Sequence, residues 1–357
     1  MAGGCRRTPE SRTREDVARH VSLERMVVEF TFLMCSERCG SNLITRLLDA
    51  HPQVCGPATK HLLNPVARNL FRYEPLAERD NWNALLDDVH RLLAADFSSW
   101  RHAFTRESLQ ALAEPGDAAA LLRAIFTTEA QANGKAQVFV KENQVYEFIA
   151  FLLLHFPQAR YVYQVRDPRD MALSWKNNPG HPGGVCRAAR QWQADQQNTL
   201  KIFTELHRRG QAERVRYEEL ISHPQAALEP VLAMLGLRWE PSMLAFHESD
   251  LTRENAARQH AWANLDKALM RDNKHKYRQS LSADEIRAVE AICRFEMPCL
   301  GYTCESTAAE LERFARDELA AFERRDNHSK LHRPGDGVQA NSEAKRRFYQ
   351  HLPLQAA

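Results

Sequence analysis

A chain of 357 residues, 44% apolar and 26% charged, has ordinary globular composition, which excludes collagen-like, coiled-coil and wholly disordered classes. Its 48 Lys and Arg against 46 Asp and Glu leave a net charge of +2, too little for a broad field that wraps nucleic acid. Any anion is therefore held by local geometry.

Residues 1–25 carry six arginines and four acids with few apolar side chains, and they read as a flexible arm without the apolar core of a signal peptide. From Val27 to Cys35 a β-branched and aromatic run predicts a buried strand. The polar turn Ser36-Glu37-Arg38-Cys39-Gly40 leads into a helix over 41–50, with Leu43, Ile44, Leu47 and Leu48 on one face and His51-Pro52 ending it. Residues 60–135 read as a helical insertion, with helices near 82–95 and 117–132. Strands follow at 137–141 and 161–165, the apolar segment 146–156 between them reading as a helix. A further helix spans 168–176. The Pro/Gly-rich stretch 177–184 is a candidate mobile lid. A long amphipathic helix begins near Ala188, and a short strand lies at 214–217. Two helices precede Gly236, and others lie near 282–296 and 307–325. The polar segment 326–357, with Lys345-Arg346-Arg347, reads as a loosely held tail. The expected domain is thus 26–325. Alternating strands and helices predict an α/β fold with a mainly parallel sheet, its ligands beyond the C-terminal strand ends.

The eight cysteines lack a CxxC pair, so the expectation is reduced thiols in a cytoplasmic protein without structural zinc. The longest apolar run, Phe148 to Phe156, is too short to span a bilayer.

Two constellations carry chemistry. At the first strand-to-helix turn, backbone N–H groups and the helix dipole point at one spot that suits a phosphate; Arg38 adds a cation, and Ser41 and Asn42 add side-chain donors. The turn lacks the Gly-Lys-Ser/Thr of a Walker A loop, which disfavours ATP with magnesium. The alternative is a structural turn with a surface arginine. In the second, Arg166-Asp167-Pro168-Arg169-Asp170 follows a strand, with Asp167 as N-cap, Pro168 at the first helical position and Asp170 placed to close a capping box. Ser174 stands two helical turns on, so Arg166 and Ser174 can converge on a second anion. The alternative pairs Arg166 with Asp167 or Asp170 and leaves Ser174 facing solvent.

Together these residues resemble the sulfotransferase family, whose donor is 3′-phosphoadenosine-5′-phosphosulfate (PAPS). Arg38-Cys39-Gly40-Ser41-Asn42-Leu43 matches that family's 5′-phosphosulfate loop, and Arg166 to Asp170 with Ser174 matches its 3′-phosphate motif. Tyr217-Glu218-Glu219-Leu220 is similar to the segment whose tyrosine lies by the adenine, although base rates make Tyr217 a core aromatic. Lys276-Tyr277-Arg278 resembles a C-terminal segment of bacterial members; with Lys274 it otherwise reads as a solvated basic face. The resemblance implies a P-loop-NTPase-like three-layer fold over about residues 28–303. It also implies PAPS as co-substrate, no metal, and an acceptor that is a carbohydrate, lipid or small-molecule alcohol. Arg38 and the N–H groups of residues 40–42 would stabilise the leaving oxygen. Asn143 stands where cytosolic relatives have a catalytic His two residues beyond a lysine, here Lys141. The base candidates are accordingly Glu142 and, after the first helix, His61. Lys60 and Lys141 are candidates for acceptor or sulfonate binding. Competing functions are a small-molecule kinase and a non-catalytic nucleotide-binding protein. No nucleic acid, membrane span or particular oligomer is implied.

Overall fold

The computed structural model describes residues 28–259, 262–326 and 336–351. The arm expected at 1–25 lies outside the described residues.

Five parallel strands, β1 (Glu29–Cys35), β2 (Val54–Cys55), β3 (Gln137–Lys141), β4 (Arg160–Val165) and β5 (Ala212–Arg216), form one sheet in the order β2-β3-β1-β4-β5. Alternation along each strand feeds two cores, because successive side chains point to opposite faces. Phe30, Phe32 and Met34 of β1, with Tyr161 and Tyr163 of β4, join the larger core under the helices Val185–Arg208 and Ala283–Cys293. Leu33, Cys35, Phe139 and Val162 face the smaller core, under Ser41–Asp49 and Pro224–Met234. This is the three-layer α/β arrangement expected.

The segment between β2 and β3 is helical, with Leu63–Asn69, Arg79–Ala94 and Ala118–Ala132 as its main elements. The strand β2 escaped sequence reading because two residues set no period. The stretch 177–184 has no regular structure but is tied at two points: Trp175 Nε1 donates to the Pro182 carbonyl at 2.9 Å, and His181 Nε2 lies 2.7 Å from Glu37 Oε2.

The loose tail is a correction. Residues Asp336–Gln350 form a helix that packs against Leu63–Asn69 and Arg79–Ala94. Asn341, Ala344 and Phe348 are buried on its inner face, and Arg347 Nε donates to the buried Asp88 carboxylate at 2.6 Å. Spacings of three and four turn a polar-looking sequence into a helix with one anchoring stripe.

Candidate functional site

The two predicted anion sites meet because their strands are neighbours. Cys35 of β1 pairs in register with Gln164 of β4, so Arg38 and Arg166 leave adjacent strand ends. The chain order places β1 where the sheet's winding reverses, with β3 on one side and β4 on the other, and a crevice opens beyond such a point.

Gly40, at φ 89°, is the N-cap of Ser41–Asp49. A Cβ there would lie 2.4 Å from the Tyr217 ring, so both the backbone conformation and the close approach require glycine. Gly40→Ala is expected to overpack this contact by about 1–3 kcal/mol, lowering the thermal midpoint and weakening nucleotide binding about tenfold in a titration.

Arg38, Gly40, Ser41, Asn42, Arg166, Ser174 and Lys276 border one cleft of about 400 Å³. Arg38 Nε donates to Ser174 Oγ at 3.1 Å, and Arg166 Nη1 donates to the Arg38 carbonyl at 3.1 Å. Ser174 is therefore not idle in solvent. Arg166 takes neither Asp167 nor Asp170; its other Nη donates to the Asn273 carbonyl, and its guanidinium lies 4.3 Å over the Tyr217 ring. Its Nε is buried without a partner. Burial, and then the charge of Arg166, pull the Arg38 guanidinium below the usual arginine range. Two partly buried cations with an orphaned donor between strand ends are what a bound dianion would relieve.

The rest of the second motif is scaffold. Asp167 caps its helix through Arg169 N, while Arg169 is buried in ion pairs with Asp167 and Glu290 at 2.7 Å each. Asp170 closes no capping box: its Oδ1 accepts from Tyr277 N at 3.0 Å and its Oδ2 from His275 N. That tether sets Lys276 at the cleft. Arg278, expected at the co-substrate, does not border this cleft; its Nε pairs with Glu305 on the surface at 2.8 Å. Lys274 is not simply solvated, since its Nζ donates to Ser222 Oγ. Tyr217 borders the cleft, but its ring supports Gly40 and Arg166, and its hydroxyl accepts from Asn273 Nδ2 at 2.7 Å. Glu218 holds Asp167 N at 2.9 Å and the Tyr302 hydroxyl at 3.0 Å, tying β5 to β4. Cys39 reaches the site through its backbone alone, its thiol lying in the smaller core 3.9 Å from Gln164 Oε1.

The two base candidates lie outside the cleft lining and beside each other. His61 Nδ1 is 3.6 Å from Glu142 Oε2, and Glu142 Oε1 accepts from Leu63 N at 3.1 Å. Burial pulls the His61 imidazole below its usual range, and Glu142 only partly offsets this. Asn143 donates instead to Glu37 Oε1 at 2.9 Å. Burial pushes the Glu37 carboxyl up, yet the His181 hydrogen bond and charge, with help from Lys141 and His61, hold it down at about 2. Glu37 thus joins the phosphate loop, the 177–184 stretch and the end of β3; nothing in the sequence marked it beyond its place beside Arg38. Lys60 is corrected to a structural role. It is buried with its ammonium on the Ala95 and Ser98 carbonyls, and burial lowers it to about 8. Lys141 is buried at the end of β3 beside β1, and it makes no ion pair among the described residues.

A family model described as the sulfotransferase family matches residues 31–241, more than half of the sequence. The chain belongs to the sulfotransferase family. Among curated relatives, carbohydrate sulfotransferase 7 of Rattus norvegicus is 34% identical over 118 residues, covering 33% of this chain and 23% of that protein. The chain therefore matches about a quarter of that relative's length. Among solved structures, the sulfotransferase domain from the Synechococcus PCC 7002 olefin synthase is 20% identical with a TM-score of 0.49, covering 74% of this chain and 94% of that one. Mouse sulfotransferase SULT7A1 complexed with PAP is 13% identical with a TM-score of 0.37, covering 93% of each chain. Among the described residues of this sulfotransferase no group of three metal-ligating side chains occurs, no helix is long and apolar enough to cross a membrane, and seven cysteines are free.

Proposed function

We propose that this sulfotransferase moves a sulfuryl group from PAPS to the hydroxyl of an acceptor, giving a sulfate ester and adenosine 3′,5′-bisphosphate (PAP). The observation that carries the reading is that Arg38 and Arg166, at the ends of adjacent strands, border one cleft and are hydrogen-bonded to each other's segment. The residues fit a nucleotide with two separated phosphates. The Arg38 loop suits the 5′ side, and Arg166 with Ser174 the 3′ side.

In the transfer the acceptor oxygen bonds sulfur as the bond to the bridging oxygen breaks, and the hydroxyl proton passes to a base. Charge grows on the bridging oxygen through a loose transition state, so Arg38 acts where the charge develops. Arginine holds that charge without giving up a proton. His61 is the base in this reading. Glu142 is the positioning residue, facing Nδ1 and leaving Nε2 for the substrate. The pair also weighs against a non-catalytic nucleotide-binding protein, a reading that rested on the missing histidine after Lys141.

The test is transfer from radiolabelled PAPS to a panel of alcohols, with PAP titration alongside. His61→Asn is expected to lower kcat by about 10²–10⁴ and Glu142→Gln by about 10–100, with PAP affinity unchanged in both. Because burial lowers His61, the imidazole is neutral at pH 7; kcat/KM should be flat through neutral pH and fall only in acid, below the ordinary histidine range. Normal rates in both variants discard the pair. A label that reaches no alcohol while PAP binds tightly would contradict the transferase reading.

A further inference from the structure

The helix Asp336–Gln350 lays a regular stripe over the base pair. Asn341 Nδ2 donates to the Lys60 carbonyl at 2.9 Å. The Tyr349 hydroxyl donates to Asn64 Oδ1 at 3.4 Å, and Asn64 Nδ2 donates to the Asn143 carbonyl at 3.0 Å. Lys345 stands four residues from each anchor, and residues four apart share one helix face. Lys345 is therefore on the helix face turned toward the segment that carries His61, and its charge is one of those that lower His61.

Lys345 is half-buried there, and its ammonium has neither hydrogen bond nor ion pair among the described residues. Burial pulls it below the usual lysine range; Glu142 and Glu37 attract it, and Lys141 repels it. Both carboxylates are already committed, Glu142 to Leu63 N and His61, and Glu37 to Asn143 and His181. The neighbouring wall is aromatic. The Phe97 ring centroid is 5.5 Å from His61 and 5.3 Å from Trp262, which borders the donor cleft.

We propose that Lys345 is a specificity-determining cation of the acceptor pocket, and that the acceptor is an alcohol with an apolar body and a carboxylate or comparable anionic group. The proposal rests on the sulfotransferase reading above and extends it to the acceptor's chemical class. A charge-assisted hydrogen bond of this kind corresponds to about 10–150-fold in affinity.

The test is calorimetric titration of the full chain, saturated with PAP, using 4-(hydroxymethyl)benzoate and its neutral match 4-methylbenzyl alcohol. The native protein should bind the carboxylate at least about tenfold more tightly. Lys345→Met should bring the two ligands within about threefold, Lys345→Glu should reverse the order, and Lys345→Arg should retain the preference and so report on folding. No preference in the native protein, or one that survives both Lys345→Met and Lys345→Glu, overturns the proposal. A second arm compares PAPS with PAP. If Lys345→Met weakens PAPS but not PAP, the ammonium serves the donor's sulfonate and the acceptor assignment fails. Absence of PAP binding by the native protein would instead reject the donor site itself, and with it the proposal built on that site.

Discussion

Arg38→Ala should lower kcat for sulfuryl transfer by about 10³ while PAP still binds. Removing one oriented donor from a developing oxyanion typically costs 10²–10³, and here the donor carries a full charge as well. Arg38 is mostly buried, its Nε is fixed by Ser174, and its backbone sits at φ 63°, so the guanidinium is aimed before any substrate arrives. Preorganisation of this kind acts on kcat more than on ground-state affinity. Arg38→Lys should recover part of the rate, since the charge survives and the fork that reaches Ser174 does not. Single-turnover transfer with saturating PAPS measures this directly. A variant that keeps its rate but loses donor affinity would move Arg38 from chemistry to simple binding.

The second large effect is on affinity. Arg166→Ala should weaken PAP binding by about 10²-fold, because the substitution removes the cleft charge proposed to face the 3′ side and frees the Arg38 carbonyl. The stack on Tyr217 and the bond to the Asn273 carbonyl also disappear, so the segment that carries Lys276 loosens with it. The expected signature is a raised KM for PAPS with a much smaller change in kcat at saturation. Titrating PAP against adenosine 5′-monophosphate separates the causes. Arg166→Ala should erase the preference for PAP but leave 5′-monophosphate binding within about threefold. Equal weakening of both nucleotides would mean that the residue merely holds the loop together.

Much of this site was legible in the sequence because it depends on local chemistry at strand ends. A strand followed by Arg-Cys-Gly-Ser-Asn, and another by Arg-Asp-Pro-Arg-Asp, each state their own geometry, and the parallel sheet brings them together. The sequence could not say how the acids and bases divide their partners. Asp170 looked like a helix cap, yet both its oxygens serve residues more than a hundred positions away. Arg166 and Arg169 are equally basic on paper. Only packing makes Arg169 a buried pair with Glu290 and leaves Arg166 facing the cleft. The same holds for Lys60 and Arg278, whose partners Ala95, Ser98 and Glu305 are set by tertiary contact. The helix Asp336–Gln350 was missed for a different reason. Its apolar side chains are few, and the burial of Phe348 against the insertion carries more weight than the polar average of the segment. Once that helix is seated, Lys345 comes within the field of Glu142 and Glu37, which no nearby motif announces.

If one adenylate bridges the two strand ends, as proposed, each phosphate must add to affinity. Calorimetric titration of the full chain with PAP, adenosine 5′-monophosphate, adenosine 3′-monophosphate and ATP with magnesium tests it. The predicted result is PAP binding at least about 10²-fold more tightly than either monophosphate, with ATP no better than adenosine 5′-monophosphate. Equal binding of PAP and a monophosphate, or tighter binding of ATP with magnesium, would contradict it.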